Sequence, residues 1–174
     1  TGVQTCALPI SDKLLGFDGG MIPLLKLQKA PDFFPPVAQR MVQQERWNEL
    51  LELLKSENAL PIPKSRTNIW RAIALRNSSD KQDMSAYSAL ETAVKDATAE
   101  SNSQSLLDAA KLAESWSMTD LAFKAYQTLV FSGKTNDAEL VEKCWNAATI
   151  LKDTTQMTAL AEKMLQTKPG RLQF

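Results

Sequence analysis

The sequence predicts an all-α protein built from helical hairpins. Three observations carry this. Apolar residues recur at the helical period of 3.6 along most of the chain. No Val/Ile/Thr-rich alternating run bounded by turn residues occurs, so nothing reads as a strand. In the C-terminal half, helix-start patterns return after 16, 19 and then 17 residues, which leaves room for helices joined by very short turns. Short turns force neighbours antiparallel, and that is an αα-hairpin.

The chain opens Thr1-Gly2-Val3-Gln4-Thr5-Cys6-Ala7-Leu8-Pro9-Ile10. These ten residues resemble a translated sequencing adapter, since the DNA string ACT GGA GTT CAG ACG TGT GCT CTT CCG ATC encodes them. Residues 1–11 are therefore expected to be non-native and are set aside before fold reasoning. The native part is expected to begin at about Ser11 or Asp12, with the true N-terminus upstream. Residues 12–31 are an apolar lead-in ending at Pro31. Residues 169–174 form a tail after Lys168-Pro169-Gly170 stops the last helical pattern.

Between them, residues 32–168 hold about four hairpins. The first helix is expected over 33–44, with Phe33, Phe34, Val37, Ala38, Met41 and Val42 on one face. Asp32 is placed as its N-cap, and Pro35 and Pro36 fit its first turn. The second covers about 46–56, with Trp47, Leu50, Leu51 and Leu54 at helical spacing. The third covers about 66–77, with Ile69, Trp70, Ile73 and Ala74. The fourth covers about 83–98, with Ala86, Ala89, Leu90, Ala93 and Ala97 in one stripe. The last four begin at capping-box patterns: Ser101-x-x-Gln104, Ser117-x-x-Asp120, Asn136-x-x-Glu139 and Asp153-x-x-Gln156. The sixth helix has two apolar stripes, one through Met118, Leu121, Ala122, Ala125 and Leu129, the other through Phe123, Tyr126 and Val130. A helix apolar on two sides is buried between neighbours.

Small residues repeat in register. Trp70-x-x-Ile73-Ala74 is followed by Ala86-x-x-x-Leu90. Ala109-x-x-Leu112-Ala113-x-x-Trp116 is followed by Ala125-x-x-x-Leu129. A weaker copy joins Cys144-x-x-Ala147-Ala148-x-x-Leu151 to Ala161-x-x-x-Leu165. Over residues 66–167 the pattern resembles the tetratricopeptide repeat, a helix–turn–helix unit of about 34 residues with Trp, Leu, Tyr, Ala and Phe at set positions. The offsets here, 39 and then 35–36, are irregular, and the middle units lack the usual proline. The resemblance implies a short right-handed α-solenoid and a ligand groove lined by the first helix of each hairpin. Carried over, that groove places Asn68 and Arg71 in one unit, Lys111 and Glu114 in the next, and Trp145 and Asn146 in the last. Most of these also read as simply solvated residues. Trp145 is either a binding anchor or a side chain buried against a neighbouring hairpin. Leu75 and Thr149 stand where a carboxylate clamp would want asparagine, so a clamp for C-terminal tails is not expected.

Composition narrows the function classes. The chain has 174 residues, 44% of them hydrophobic, enough for a single core. Twenty basic and twenty acidic residues balance, with no basic run. That provides no electrostatic footprint for nucleic acid or for an anionic membrane surface. There is no histidine, which removes the commonest general base and metal ligand. Gly16-Phe17-Asp18-Gly19-Gly20 matches no phosphate loop. No catalytic residue, cofactor site or metal site is expected. Without Cys6, Cys144 stands alone on an apolar helix face and reads as a small core residue. A reducing compartment is compatible with it, and a cytoplasmic location is weakly favoured on that ground.

The expected function is a non-catalytic scaffold binding an unidentified protein or peptide. The alternatives are the soluble helical domain of a larger membrane-anchored protein, or the regulatory domain of an enzyme whose catalytic part lies outside this sequence. Met21-Ile22-Pro23-Leu24-Leu25 is far too short to span a bilayer, so this segment is not expected to insert. A repeat array lacking its N-terminal cap exposes an apolar edge. Light scattering is therefore expected to show an average mass that rises with protein concentration, and a strictly monomeric profile would contradict the open edge.

Overall fold

The computed structural model describes residues 34–55, 60, 62–78, 82–132 and 137–167, and eight α-helices lie among them. They are α1 (Phe34–Gln43), α2 (Trp47–Leu54), α3 (Lys64–Asn77), α4 (Asp83–Ala99), α5 (Ser103–Ser115), α6 (Thr119–Phe131), α7 (Ala138–Leu151) and α8 (Thr154–Thr167). No other regular element occurs among the described residues. The adapter-like residues, the lead-in, Phe33, Asp32 and the tail lie outside them.

The chain divides into two compact units, one ending at Ile62 and one beginning at Pro63. In the first, α1 packs on α2, burying Phe34, Val37, Ala38 and Met41 with Leu50, Leu53 and Leu54. Leu51, expected on that face, is only half-buried, and Leu53 takes the place. In the second unit, α3 to α8 pack as sequential antiparallel neighbours. Alternate helices also touch: α3 packs on α5, and α4 on α6.

Small side chains set these approaches. Ala74 and Ala86 are fully buried, as are Ala113 and Ala125, so both pairs of the expected repeat are core. The third copy departs from the expected register. Twelve residues beyond Ala148 stands Leu160, which is fully buried, whereas Ala161 is half-buried and Leu165 is exposed. The last helix thus turns a leucine, one residue earlier, into the core. In α6, Ala122, Ala125 and Leu129 are buried on one side and Phe123, Tyr126 and Val130 on the other, as expected, whereas Leu121 is half-buried and Met118, also half-buried, precedes the helix.

The ends of α1, α4, α5 and α7 share one device. Among the described residues, four other than glycine adopt the left-handed conformation: Glu45 (φ 56°), Ser101 (φ 52°), Ser117 (φ 59°) and Lys152 (φ 57°). Each closes a helix by paired reverse hydrogen bonds. After α5, Met118 N–H donates to the Ala113 carbonyl (2.9 Å) and Ser117 N–H to that of Glu114 (3.0 Å). After α4, Asn102 donates to Ala97 (2.9 Å) and Ser101 to Thr98 (3.1 Å). After α7, Asp153 donates to Ala148 (3.1 Å) and Lys152 to Thr149 (3.2 Å). After α1, Arg46 donates to Met41 (3.0 Å) and Glu45 to Val42 (3.2 Å). This is the Schellman closure, which satisfies carbonyls left over at a helix C-terminus.

The device corrects the expected starts. Ser101 and Ser117 end the preceding helices instead of capping the next ones. Before α5 the next residue does that work, Asn102 Oδ1 accepting from Ser105 N–H (3.1 Å), whereas Met118 leads into α6 with no side-chain cap. Asn136 lies outside the described residues, and Asp137 caps α7 through Glu139 N–H (2.9 Å). Only Asp153 caps as expected, accepting from Gln156 N–H at 3.1 Å. The Gln156 side chain does not complete the box, because its carbonyl accepts from Gln127 of α6 (2.7 Å). The third helix begins at Lys64, two residues early, and its first amides are satisfied from a distance. Glu100, just past α4, accepts from Lys64 N–H (2.8 Å) and Ser65 N–H (3.4 Å).

A left-handed conformation costs a residue with a Cβ about 1–2 kcal/mol, and glycine's extra chain entropy offsets only part of that saving. Ser117→Gly and Lys152→Gly are each expected to raise unfolding stability by up to about 1 kcal/mol in chemical denaturation. Asn102→Ala is expected to lower it by about 1 kcal/mol through the lost cap.

Candidate functional site

The first helices of the hairpins in the second unit are α3, α5 and α7, and ion pairs link them in series. Arg66 Nη1 of α3 lies 2.9 Å from Asp108 Oδ2 of α5. Asp108 accepts in addition from Gln104 Nε2 (2.8 Å), one turn away on the same helix. Glu114, at the far end of α5, lies 3.4 Å from Lys143 Nζ of α7. Both pairs are partly exposed. Pairs of that kind contribute little to stability, about 0–1 kcal/mol, so they serve better to hold helices in register.

Glu114 is also the anchor of a buried phenol. Tyr126 of α6 is 1% exposed, and its hydroxyl donates to Glu114 Oε2 at 2.8 Å. Lys143 Nζ stands 5.9 Å from the centre of the Tyr126 ring. Burial drives the pKa of the Tyr126 hydroxyl well above its ordinary value, and the Glu114 hydrogen bond and negative charge add to this. One turn along α7 from Leu140, Cys144 is fully buried and its thiol is pushed up to about 12 by burial. A thiol so placed is protonated at neutral pH and is not a nucleophile there.

The six expected groove residues separate into two groups. Asn68 is buried and already engaged: its Nδ2 donates to Asp96 Oδ2 of α4 (2.8 Å), and its Oδ1 accepts from Arg71 Nη1 (2.8 Å). Trp145 is half-buried and packs on the core. Lys111, Glu114 and Asn146 are exposed, with Glu114 committed to Tyr126 and Lys143. Asn68 and Arg71 meet each other; Arg66, Asp108 and Lys143 lie on the same three helices without having been expected there, and Tyr126 reaches Glu114 from α6. Arg66–Asp108 and Glu114–Lys143 span 42 and 29 residues, so no local pattern could have revealed them.

A second arginine is held by aromatic faces. Arg76, in the last turn of α3, lies 4.5 Å from the Trp116 ring centre and 5.5 Å from that of Tyr87. The two rings are 6.0 Å apart. Its Nη1 is buried with no hydrogen-bond partner. The contacts fasten the ends of α3 and α5 to α4, and cation–π attraction of about 0.5–2 kcal/mol per ring offsets the lost solvation.

A cleft of about 610 Å³ opens on the side of the second helices, between α4, α6 and the end of α7. Among the described residues no group of three or more Cys, Asp or Glu side chains is gathered as a metal site, and no described helix is long and apolar enough to cross a membrane. No protein-family model matches this chain, and neither does any curated protein or solved structure.

Both raised pKa values act in one direction. The folded protein holds the Cys144 thiol and Tyr126 hydroxyl neutral, whereas the unfolded chain ionises them near their ordinary values of 9.0 and 10.0. The stability they contribute is intact below pH 9 and is lost as pH rises toward 12 and beyond. The melting temperature is therefore expected to fall steadily above pH 9, and less steeply in Tyr126→Phe. Peptide-mapped alkylation at pH 8 should leave Cys144 unlabelled until denaturant is added; rapid labelling of the native protein would contradict its burial.

Proposed function

We propose that the second unit is a tetratricopeptide-like right-handed α-solenoid segment that works as a non-catalytic protein-interaction scaffold. Its binding face is the surface of α3, α5 and α7, and its ligand is a peptide or helical segment of another protein. The observation that carries this reading is the serial linkage of alternate helices, Arg66–Asp108 and then Glu114–Lys143. Helices linked in that order present one continuous surface, which consecutive antiparallel packing alone does not require. The spacing of the left-handed closures supports the repeat: Ser117 and Lys152, each between the helices of a hairpin, are 35 residues apart, close to the repeat length of about 34.

Lys111 and Asn146 are the exposed, uncommitted residues of that face, and Trp145 beside Asn146 supplies half-buried aromatic area. Exposed polar groups around a partly covered tryptophan are a usual composition for a binding patch.

The test is a peptide-display selection on the immobilised full chain, followed by titration calorimetry of the selected peptides. Lys111→Glu with Asn146→Asp is expected to weaken them by about tenfold or more while circular dichroism and melting temperature stay unchanged. Selected peptides whose affinity ignores both substitutions would place binding elsewhere and remove this reading.

A further inference from the structure

Arg76 holds a charge that the fold leaves unanswered. Four described arginines are half-buried: Arg46, Arg66, Arg71 and Arg76. Three of them donate to a side chain, Arg46 to Glu49, Arg66 to Asp108 and Arg71 to Asn68. Arg76 donates to no described residue and has no ion pair with one. Its companions are the rings of Trp116 and Tyr87. A cation–π contact consumes no N–H donor, so every donor of the guanidinium remains. Nη1 is sealed from solvent, whereas Nε and Nη2 keep contact with it.

Acids stand nearby along α4 without answering this charge. Asp83 and Glu91 lie one turn before and one turn after Tyr87, on the same stripe of the helix, and both are exposed. Neither pairs with Arg76. The two rings offset lost solvation but bring no counter-charge. Water hydrates an N–H but neutralises nothing, and a partly buried cation without a counter-ion is costly. Trp, Tyr and Arg are also the side chains most enriched among the anchors of bound partners. Here all three meet in one half-buried cluster.

We propose that the Arg76–Tyr87–Trp116 cluster binds a carboxylate group of a peptide ligand, held side-on by Nε and Nη2 of Arg76. The N–H bonds on that edge are parallel and spaced as carboxylate oxygens are, which makes the contact bidentate. The sealed nitrogen, Nη1, is the one that this mode does not use. The rings hold the guanidinium in place before the ligand arrives, so less side-chain freedom is lost on binding. They also offer aromatic area to the residue that carries the carboxylate. A phosphate group fits less well. It brings about 1.5–2 negative charges to a single cation, with Asp83 and Glu91 flanking Tyr87 on α4. A carboxylate matches the cation's charge. The site lies at the C-terminal ends of α3 and α5 and does not depend on the binding face proposed above.

The probes are three short peptides of otherwise identical apolar sequence. One is amidated with a central glutamate, one is amidated with glutamine in its place, and one has the glutamine and a free C-terminal carboxylate. Sodium acetate, sodium phosphate and sodium chloride are titrated alongside. The readouts are the Arg76 Nε–H and Trp116 indole N–H resonances of the full chain. Acetate and at least one carboxylate peptide are expected to move both resonances saturably, and at lower concentration than phosphate does. Chloride and the neutral peptide should move neither. Tighter binding of the glutamate peptide makes an acidic side chain the source of the carboxylate; tighter binding of the free-acid peptide makes it a chain end. Arg76→Gln should abolish the Trp116 response. Arg76→Lys keeps the charge without the paired N–H edge and should weaken the better peptide about tenfold. Arg76 also fastens helices, so the comparison of peptides on the unaltered chain decides the matter even where a variant folds poorly. Equal responses to the neutral and carboxylate peptides, no response to any carboxylate, or tighter binding of phosphate than of acetate would overturn the proposal. So would an unchanged response in a folded Arg76→Gln variant.

Discussion

The second unit depends on how closely its helices approach at alanine. Ala72, Ala93, Ala109, Ala113, Ala125 and Ala148 are all fully buried. A methyl group at a crossing lets two helix axes come near the lower end of the 8–10 Å range of packed helices. Larger side chains there would force the axes apart, and cores resist added volume as firmly as they resist cavities. The long contacts between elements are built on that distance. Tyr126 reaches Glu114 because α5 and α6 pack as neighbours, and Arg66 reaches Asp108 because α3 lies on α5.

Close approach also dictates the turns. Antiparallel helices packed on alanine leave no room for a wandering connection, and the Schellman closure lets the chain reverse with one left-handed residue. The residue after it is already at the head of the next helix, as Asn102 and Asp153 are. The sequence uses serine, glutamate and lysine at these positions where glycine would be less strained. The hydrogen bonds lost by misplacing that residue outweigh its local strain, so the conformation persists without glycine.

Local patterns carried much of the fold. Helical periodicity marked every described helix, because a buried stripe must recur each 3.6 residues whatever it packs against. The two-sided burial of α6 was legible for the same reason. Helix starts at Ser101 and Ser117 were misplaced by one residue, because serine suits a cap and a left-handed closure alike and only the backbone path distinguishes them. Leu160 was overlooked in favour of Ala161, since a match by residue type does not reveal which way the last helix is rotated. Lys111 and Asn146 are exposed, as residues on the polar side of an amphipathic helix are. Asn68 was not recognisable as a buried tie, because its partner Asp96 is 28 residues away.

By itself the sequence determined the all-helical class, the number of helices over the described range, and the stripes that enter the core. These follow from short-range periodicity and from the absence of any strand pattern. The tertiary structure alone decided which charges are spent and which are left over. Arg66, Asp108, Glu114 and Lys143 are neutralised in pairs across helices, whereas Glu91, Lys95, Asp120 and Lys124 stand unpaired around one cleft. In the sequence those eight residues are equivalent, each a charge on the polar side of an amphipathic helix. Only the rotation of each helix, set by where its alanines meet the next, brings one set within 4 Å and leaves the other set in solvent.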